Sequence, residues 1–173
     1  MTFAPLCGNI IRGAKETPTK SKREVNTMNE KIYFDMDGTI ANLYADPNWL
    51  PKLRAYDPTP YANAEPLVNM SRLARLLHKA QRNGYTIGII SWLSKEPTTA
   101  YNEAVTNAKL EWLATHLPSV EWDEIHIVAY GTPKSTVANT LGGILFDDEE
   151  QNRTEWNGMA YTPDQIFDLL ADL

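Results

Sequence analysis

The chain predicts an α/β fold: three layers, with a mostly parallel sheet covered by helices on both faces. Three observations lead there. Short apolar runs alternate with amphipathic helical segments, acidic or hydroxyl residues follow the runs, and 43% of the 173 residues are hydrophobic, enough for one domain with a substantial core.

Taken in order, Ile32-Tyr33-Phe34 reads as the first strand. Pro66 to Arg82 then puts Met70, Leu73 and Leu77 on one stripe at helical spacing, with Gly84 as the stop. Tyr85 to Ile90 is the second strand. Pro97 to Leu117 repeats the helical theme with Tyr101, Val105, Ala108 and Trp112, and Ile125 to Ala129 is the third strand. A short helix begins near Lys134, and Gly143 to Phe146 is the fourth strand. Met159 to Tyr161 makes a last short strand. Thr162-Pro163-Asp164-Gln165 opens a terminal helix with a cap, a proline at the first position and a glutamine placed to reach back. The arrangement is Rossmann-like, and no internal repeat or low-complexity tract interrupts it.

Residues 1–27 stand apart. They carry five basic and two acidic residues, a net +3, so the rest of the chain carries −9 of the overall −6. Their Thr, Lys, Asn and Gly content predicts a disordered N-terminal extension, with residues 28–173 as the domain and Met28 as an alternative start. A body that acidic is a poor grip for nucleic acid, whose non-specific binding needs Lys and Arg to neutralise phosphates, whereas a small phosphorylated metabolite is easier to accommodate. Cys7 is the only cysteine, which excludes an intrachain disulfide and a cysteine-based metal site and fits a reducing, cytoplasmic setting. No apolar stretch approaches the roughly 20 residues of a membrane span.

In sheets of this kind ligands bind at the carboxyl ends of the strands. Strand one ends in Asp35-Met36-Asp37-Gly38-Thr39, strand two in Ser91, and strand four in Asp147 and Asp148, with Lys134 at a helix start after strand three. Two carboxylates one residue apart, at a turn that Gly38 permits, suit a divalent cation and a division of nucleophile and acid/base duties. A solvated helix start is the competing reading of Asp147-Asp148-Glu149-Glu150, but Ile144-Leu145-Phe146 places that run at a strand end.

These residues, in this order, resemble the four signatures of the haloacid dehalogenase superfamily of phosphotransferases, over the chain from about Lys31 to the C-terminus. The resemblance implies that Asp35 attacks phosphorus and becomes an aspartyl phosphate, with Mg²⁺ held by Asp35, the backbone carbonyl of Asp37 and Asp147, and its water oriented by Asp148. It implies that Asp37 protonates the leaving oxygen and then deprotonates the hydrolytic water. Ser91 donates to the phosphoryl group, and Lys134 neutralises it and restrains Asp35. Gly38, Thr39, Ser91, Trp92 and Lys134 are the expected substrate contacts, Trp92 by stacking on a substrate ring, with closure of the core as its alternative role.

A small cap is expected at residues 41–65, where Tyr44, Trp49, Leu50, Leu53, Tyr56 and Tyr61 offer apolar material. Packing onto the core is the expected role of most of them. The opening from Ile32 to Asn42 and the Phe146-Asp147-Asp148 ending are similar to small nucleotidase-like members, which makes a nucleoside monophosphate the leading substrate. A sugar phosphate, a phosphorylated macromolecule and a noncatalytic binding module on the same scaffold are the alternatives. The five tryptophans leave an oligomer open, and His78, His116 and His126 fall away from the strand ends and receive no catalytic role.

Overall fold

The computed structural model describes Met1 and residues 30–95, 98–138 and 142–173. The expected extension at 1–27, the start at Met28 and the helix entry at Pro97 lie outside the described residues. In chain order the elements are β1 (Lys31–Phe34), β2 (Ala41–Asn42), α1 (Trp49–Arg54), α2 (Thr59–Ala62), β3 (Glu65–Pro66), α3 (Met70–Arg82) and β4 (Thr86–Trp92). They continue with α4 (Thr99–His116), β5 (Glu124–Val128), α5 (Lys134–Val137), β6 (Ile144–Phe146), α6 (Glu150–Thr154), β7 (Met159–Tyr161) and α7 (Ile166–Asp172).

Five strands form one sheet in the order β5-β4-β1-β6-β7, every pair parallel. The register sets Ile32 beside Ile87 and Ile144, and Phe34 beside Ile89 and Phe146, so these side chains share one face. Parallel crossovers are right-handed, which sends the helices of β1→β4→β5 to one face and those of β5→β6→β7 to the other. The core follows this rule. Ile32, Phe34, Ile89 and Phe146 pack with Leu73 and Leu77 of α3, Trp112 of α4 and Leu170 of α7, while Tyr33, Ile90 and Leu145 pack with Ala138 beyond α5 and Trp156 beyond α6. Central strands covered on both sides must be apolar throughout, and β4 is buried continuously from Ile87 to Ser91.

Two element boundaries differ from expectation for local reasons. The first long helix begins at Met70, not Pro66, because Glu65 and Pro66 pair antiparallel with Asn42 and Ala41, and the Asn69 side chain then caps the helix by accepting from Arg72 N at 2.9 Å. The terminal helix is entered through a turn of 3₁₀ helix at Pro163–Gln165, where Gln165 Oε1 accepts from the Thr162 N–H at 3.2 Å as a capping box requires.

The β2–β3 pair closes the base of the insert at 41–65, and α1 and α2, which lie between these strands in the chain, form a small cap. Its anchor is α4: Leu43 and Tyr61 form a separate apolar cluster with Tyr101, Val105 and Ala108. Trp112 adds a 2.6 Å hydrogen bond from its indole N–H to the Ala64 carbonyl. No helix among the described residues is long and apolar enough to cross a membrane.

Candidate active site

Strand order reverses on either side of β1, so the crevice between the ends of β1 and β6 is the topological switch point of the sheet. The chain holds that crevice open through backbone bonds. Asp35 N donates to the Phe146 carbonyl at 2.9 Å, and the Met36 carbonyl then accepts from Thr39, Ile40 and Ala41 in one tight turn. Gly38 makes the turn at a φ of 81°, and a Cβ there would collide with the Asp148 carboxylate.

Three carboxylates converge at this point. One oxygen from each of Asp35, Asp147 and Asp148 lies within 4.8 Å of the other two. Lys134, at the start of the single-turn helix α5, reaches in from the opposite side and donates to Asp35 Oδ1 and to Asp147 Oδ2, both at 2.6 Å. All of these side chains except Asp148 are buried. Burial pushes the Asp147 carboxyl up, and the Asp35 charge adds to it. Asp148 rises to about 7 for the same two reasons. For Lys134, burial works against the charge, but Asp35 and Asp147 outweigh it and hold the ammonium above its ordinary range.

The remaining polar groups brace the triad. Asn152 of α6 donates to both Asp147 oxygens at 3.1 Å, Glu149 N donates to Asp147 Oδ1 at 2.9 Å, and Arg153 ties down the carbonyls of Asp147 and Asp148. Helix α6 starts only at Glu150, so Asp147 and Asp148 precede it and are not a solvated helix start. Asn152 Oδ1 is buried without a hydrogen-bond partner among the described residues. With three carboxylates facing one lysine and an unused buried oxygen alongside, the donor set suits a hard, oxygen-seeking divalent cation.

Asp37 belongs to a second cluster. Its carboxylate is not part of the triad. It accepts from Lys109 Nζ at 2.6 Å, and the same ammonium donates to Ser91 Oγ at 2.8 Å and to the Trp92 carbonyl at 2.7 Å. Burial raises the Asp37 carboxyl, with Lys109 opposing and Asp35 reinforcing. Lys109 is only 1% exposed and was missed by sequence reasoning. A signal for it exists: it sits on the apolar stripe of α4, four residues after Val105 and three before Trp112, where a lysine interrupts a buried face.

The other expected residues have definite places. Ser91, an expected substrate contact, is fully buried near the end of β4 with Lys109 as its partner and does not line the cavity. Thr39 is equally buried, and its hydroxyl accepts from Asp148 N at 3.1 Å, so it braces the triad; neither it nor Gly38 lines the cavity above. Trp92 does line the cavity. Its indole N–H donates to the Thr132 carbonyl at 2.8 Å, its ring lies 5.0 Å from Tyr130, and the Lys134 ammonium is 5.5 Å from its centroid.

That cavity, about 400 Å³, opens from Asp35, Asp37, Lys134 and Asp148 toward the cap. Packing was the expected role of most of the apolar cap residues, and Tyr61, Leu53 and Tyr56 do pack on the α4 side of the cap, Tyr56 against Tyr101. Tyr44, Trp49, Leu50, Leu53 and Tyr61 all line the cavity, and Tyr61 alone of the six is buried. With only six residues, α1 buries none of them and offers its apolar side to the opening. The three histidines are absent from the cavity wall.

No family model matches the chain, and no curated protein matches it.

Proposed function

We propose that the chain is a Mg²⁺-dependent phosphomonoester hydrolase of the haloacid dehalogenase type, acting on a nucleoside monophosphate through an aspartyl phosphate at Asp35. One observation carries the reading: Asp35 is held by Lys134 beside Asp147 and Asp148, with Asp37 two residues away on a separate lysine.

A phosphate monoester repels nucleophiles through its own charge, so an attacking carboxylate needs cations at the transferring group. Asp35, Asp147 and Asp148 would hold Mg²⁺, which supplies Lewis-acid stabilisation of the phosphoryl oxygens. Lys134 adds a fixed positive charge and occupies Oδ1 of Asp35; Oδ2 has no hydrogen bond among the described residues and is the oxygen available to attack. As the Asp35–phosphorus bond forms and the bond to the leaving oxygen breaks, that oxygen takes the proton of Asp37. A carboxyl raised by burial keeps such a proton closer to neutral pH than an exposed one. Asp37, now ionised, accepts a proton from water as the water oxygen attacks phosphorus, and phosphate leaves with Asp35 restored.

The nucleotide reading is supported by the wall of the cavity. Tyr44 and Trp49 from the cap, with centroids 5.1 Å apart, and Trp92 with Tyr130 from the sheet end supply aromatic faces around it. A volume of about 400 Å³ is of the size that takes a small ligand.

The test is phosphate release from nucleoside monophosphates, sugar phosphates and an aryl phosphate, with and without Mg²⁺. Turnover that requires Mg²⁺, favours nucleotides and is lost by about 10³-fold or more in Asp35→Asn supports the proposal. A preference for sugar phosphates keeps the chemistry and removes the substrate. Equal activity in wild type and Asp35→Asn removes the nucleophile.

A further inference from the structure

Lys109 is the buried charge that the reaction steps above leave unused. A methionine or leucine at this place on the α4 stripe would fill the same space, while an ammonium taken from water costs several kcal/mol unless its hydrogen bonds are complete. They are complete: its three N–H groups have three acceptors, Asp37 Oδ2, Ser91 Oγ and the Trp92 carbonyl, at 2.6, 2.8 and 2.7 Å. The Tyr61 ring of the cap covers it at 5.0 Å.

This saturation determines what its partners have left to offer. Asp37 has Oδ2 committed to Lys109, while its Oδ1 has no hydrogen bond among the described residues. Ser91 accepts through Oγ, and its own hydroxyl hydrogen has no acceptor among the described residues.

We infer that Lys109 is a positioning residue that orients the acid/base carboxyl of Asp37, so that Oδ1 carries the transferred proton. The inference rests on the hydrolase reading. In the step concerned, the phosphorus–oxygen bond to the leaving group breaks and its electron pair takes the proton from Asp37 Oδ1. Lys109 itself neither gains nor loses a proton.

Leaving groups separate this role from a structural one. A nucleoside leaves as an alkoxide and needs the proton, whereas the phenolate of an activated aryl phosphate leaves without it. Lys109→Met therefore lowers kcat/KM, which covers only the steps up to leaving-group release, about 10²-fold on a nucleoside monophosphate and less than about 10-fold on p-nitrophenyl phosphate; the later hydrolysis of the aspartyl phosphate uses Asp37 for both substrates and enters kcat alone. Equal losses of kcat/KM on the two substrates overturn the inference. Because Lys109→Met strands the Asp37 charge and can unfold the protein, Lys109→Met/Asp37→Asn is measured beside Asp37→Asn, with circular dichroism on each. Removing both charges leaves neither unpaired. If Lys109 acts through Asp37, the double variant hydrolyses the aryl phosphate within about 10-fold of Asp37→Asn; a larger further loss means that Lys109 acts directly on the phosphoryl group, and the inference fails. Wild-type protein inactive on both compounds, with Mg²⁺ present, defeats the hydrolase reading and this inference with it. Wild-type turnover with equal losses in Lys109→Met defeats the inference alone.

Discussion

Lys134 and Asp35, 99 positions apart in the chain, meet at 2.6 Å with both side chains withdrawn from solvent. The same ammonium bonds Asp147, so one cation separates two buried carboxylates that would otherwise repel.

Lys134→Met removes that cation and should lower kcat by about 10²–10³-fold. Without metal it should also lower the melting temperature, since a buried charge left unpaired costs about 3–5 kcal/mol. Mg²⁺ should recover the stability but not the turnover, because a divalent ion can neutralise the two carboxylates without replacing the lysine on the phosphoryl group. A thermal melt with EDTA and with Mg²⁺, run beside the activity assay, checks both halves.

Proton linkage at the triad gives a second expectation. Asp148 is raised to about 7, and Asp147 and Asp37 are raised in the same direction, so the metal-free folded protein binds more protons than the unfolded chain below neutrality. Its stability therefore falls as pH rises toward 7. On the proposed reading Mg²⁺ would displace the Asp148 proton, so its apparent affinity should weaken by up to about tenfold per pH unit below 7 and level off above. Calorimetric Mg²⁺ titrations from pH 5.5 to 8 measure the slope; a flat profile would contradict it.

Gly38 and Asp148 occupy adjoining space, and the glycine has a φ of 81°. Gly38→Ala forces the Asp148 carboxylate aside and strains the turn by about 1–2 kcal/mol. Mg²⁺ affinity should drop more than tenfold, with a smaller loss in melting temperature. Isothermal titration of the folded variant reads the first effect.

Away from the site, Glu124 accepts from Lys31 Nζ and Tyr33 Oη, each at 2.6 Å, and contacts His126 Nε2 at 3.2 Å. Burial alone would raise its carboxyl, but these hydrogen bonds outweigh burial and hold it at about 2. A depressed carboxyl stabilises the fold above its unfolded value near 4.5 and loses that contribution as pH falls toward 2. Glu124→Gln should cost about 1–3 kcal/mol at pH 7, and the gap to wild type should shrink between pH 4.5 and 2.5 in urea unfolding.

The cap aromatics make a prediction about substrate alone. Trp49→Ala should lower kcat/KM for a nucleoside monophosphate by about 10-fold or more through lost stacking, while leaving p-nitrophenyl phosphate within about threefold. Equal losses on both would place Trp49 in the fold of the cap and not in recognition.

Much of the molecule was legible before any coordinates. The strand at Ile32–Phe34 and the stripes through Leu73 and Leu77 and through Tyr101, Val105, Ala108 and Trp112 follow from periodicity, because a sheet buried on both faces and a helix packed on one leave their spacing in the residue order. Asp35, Asp37, Asp147 and Asp148 were legible because acidic residues directly after apolar runs mark strand ends. Lys109 and the role of the cap were not. Whether a lysine on an apolar stripe ends in water or on a carboxylate depends on what faces it, and here that is Asp37, 72 residues away. Trp49 and Tyr44 have the composition of core residues, yet both line the cavity, and α1, which begins at Trp49, is too short to bury any of its residues. Local spacing determines elements and their ends, whereas the pairing of buried charges and the facing of an apolar helix are long-range choices that the tertiary structure alone decides.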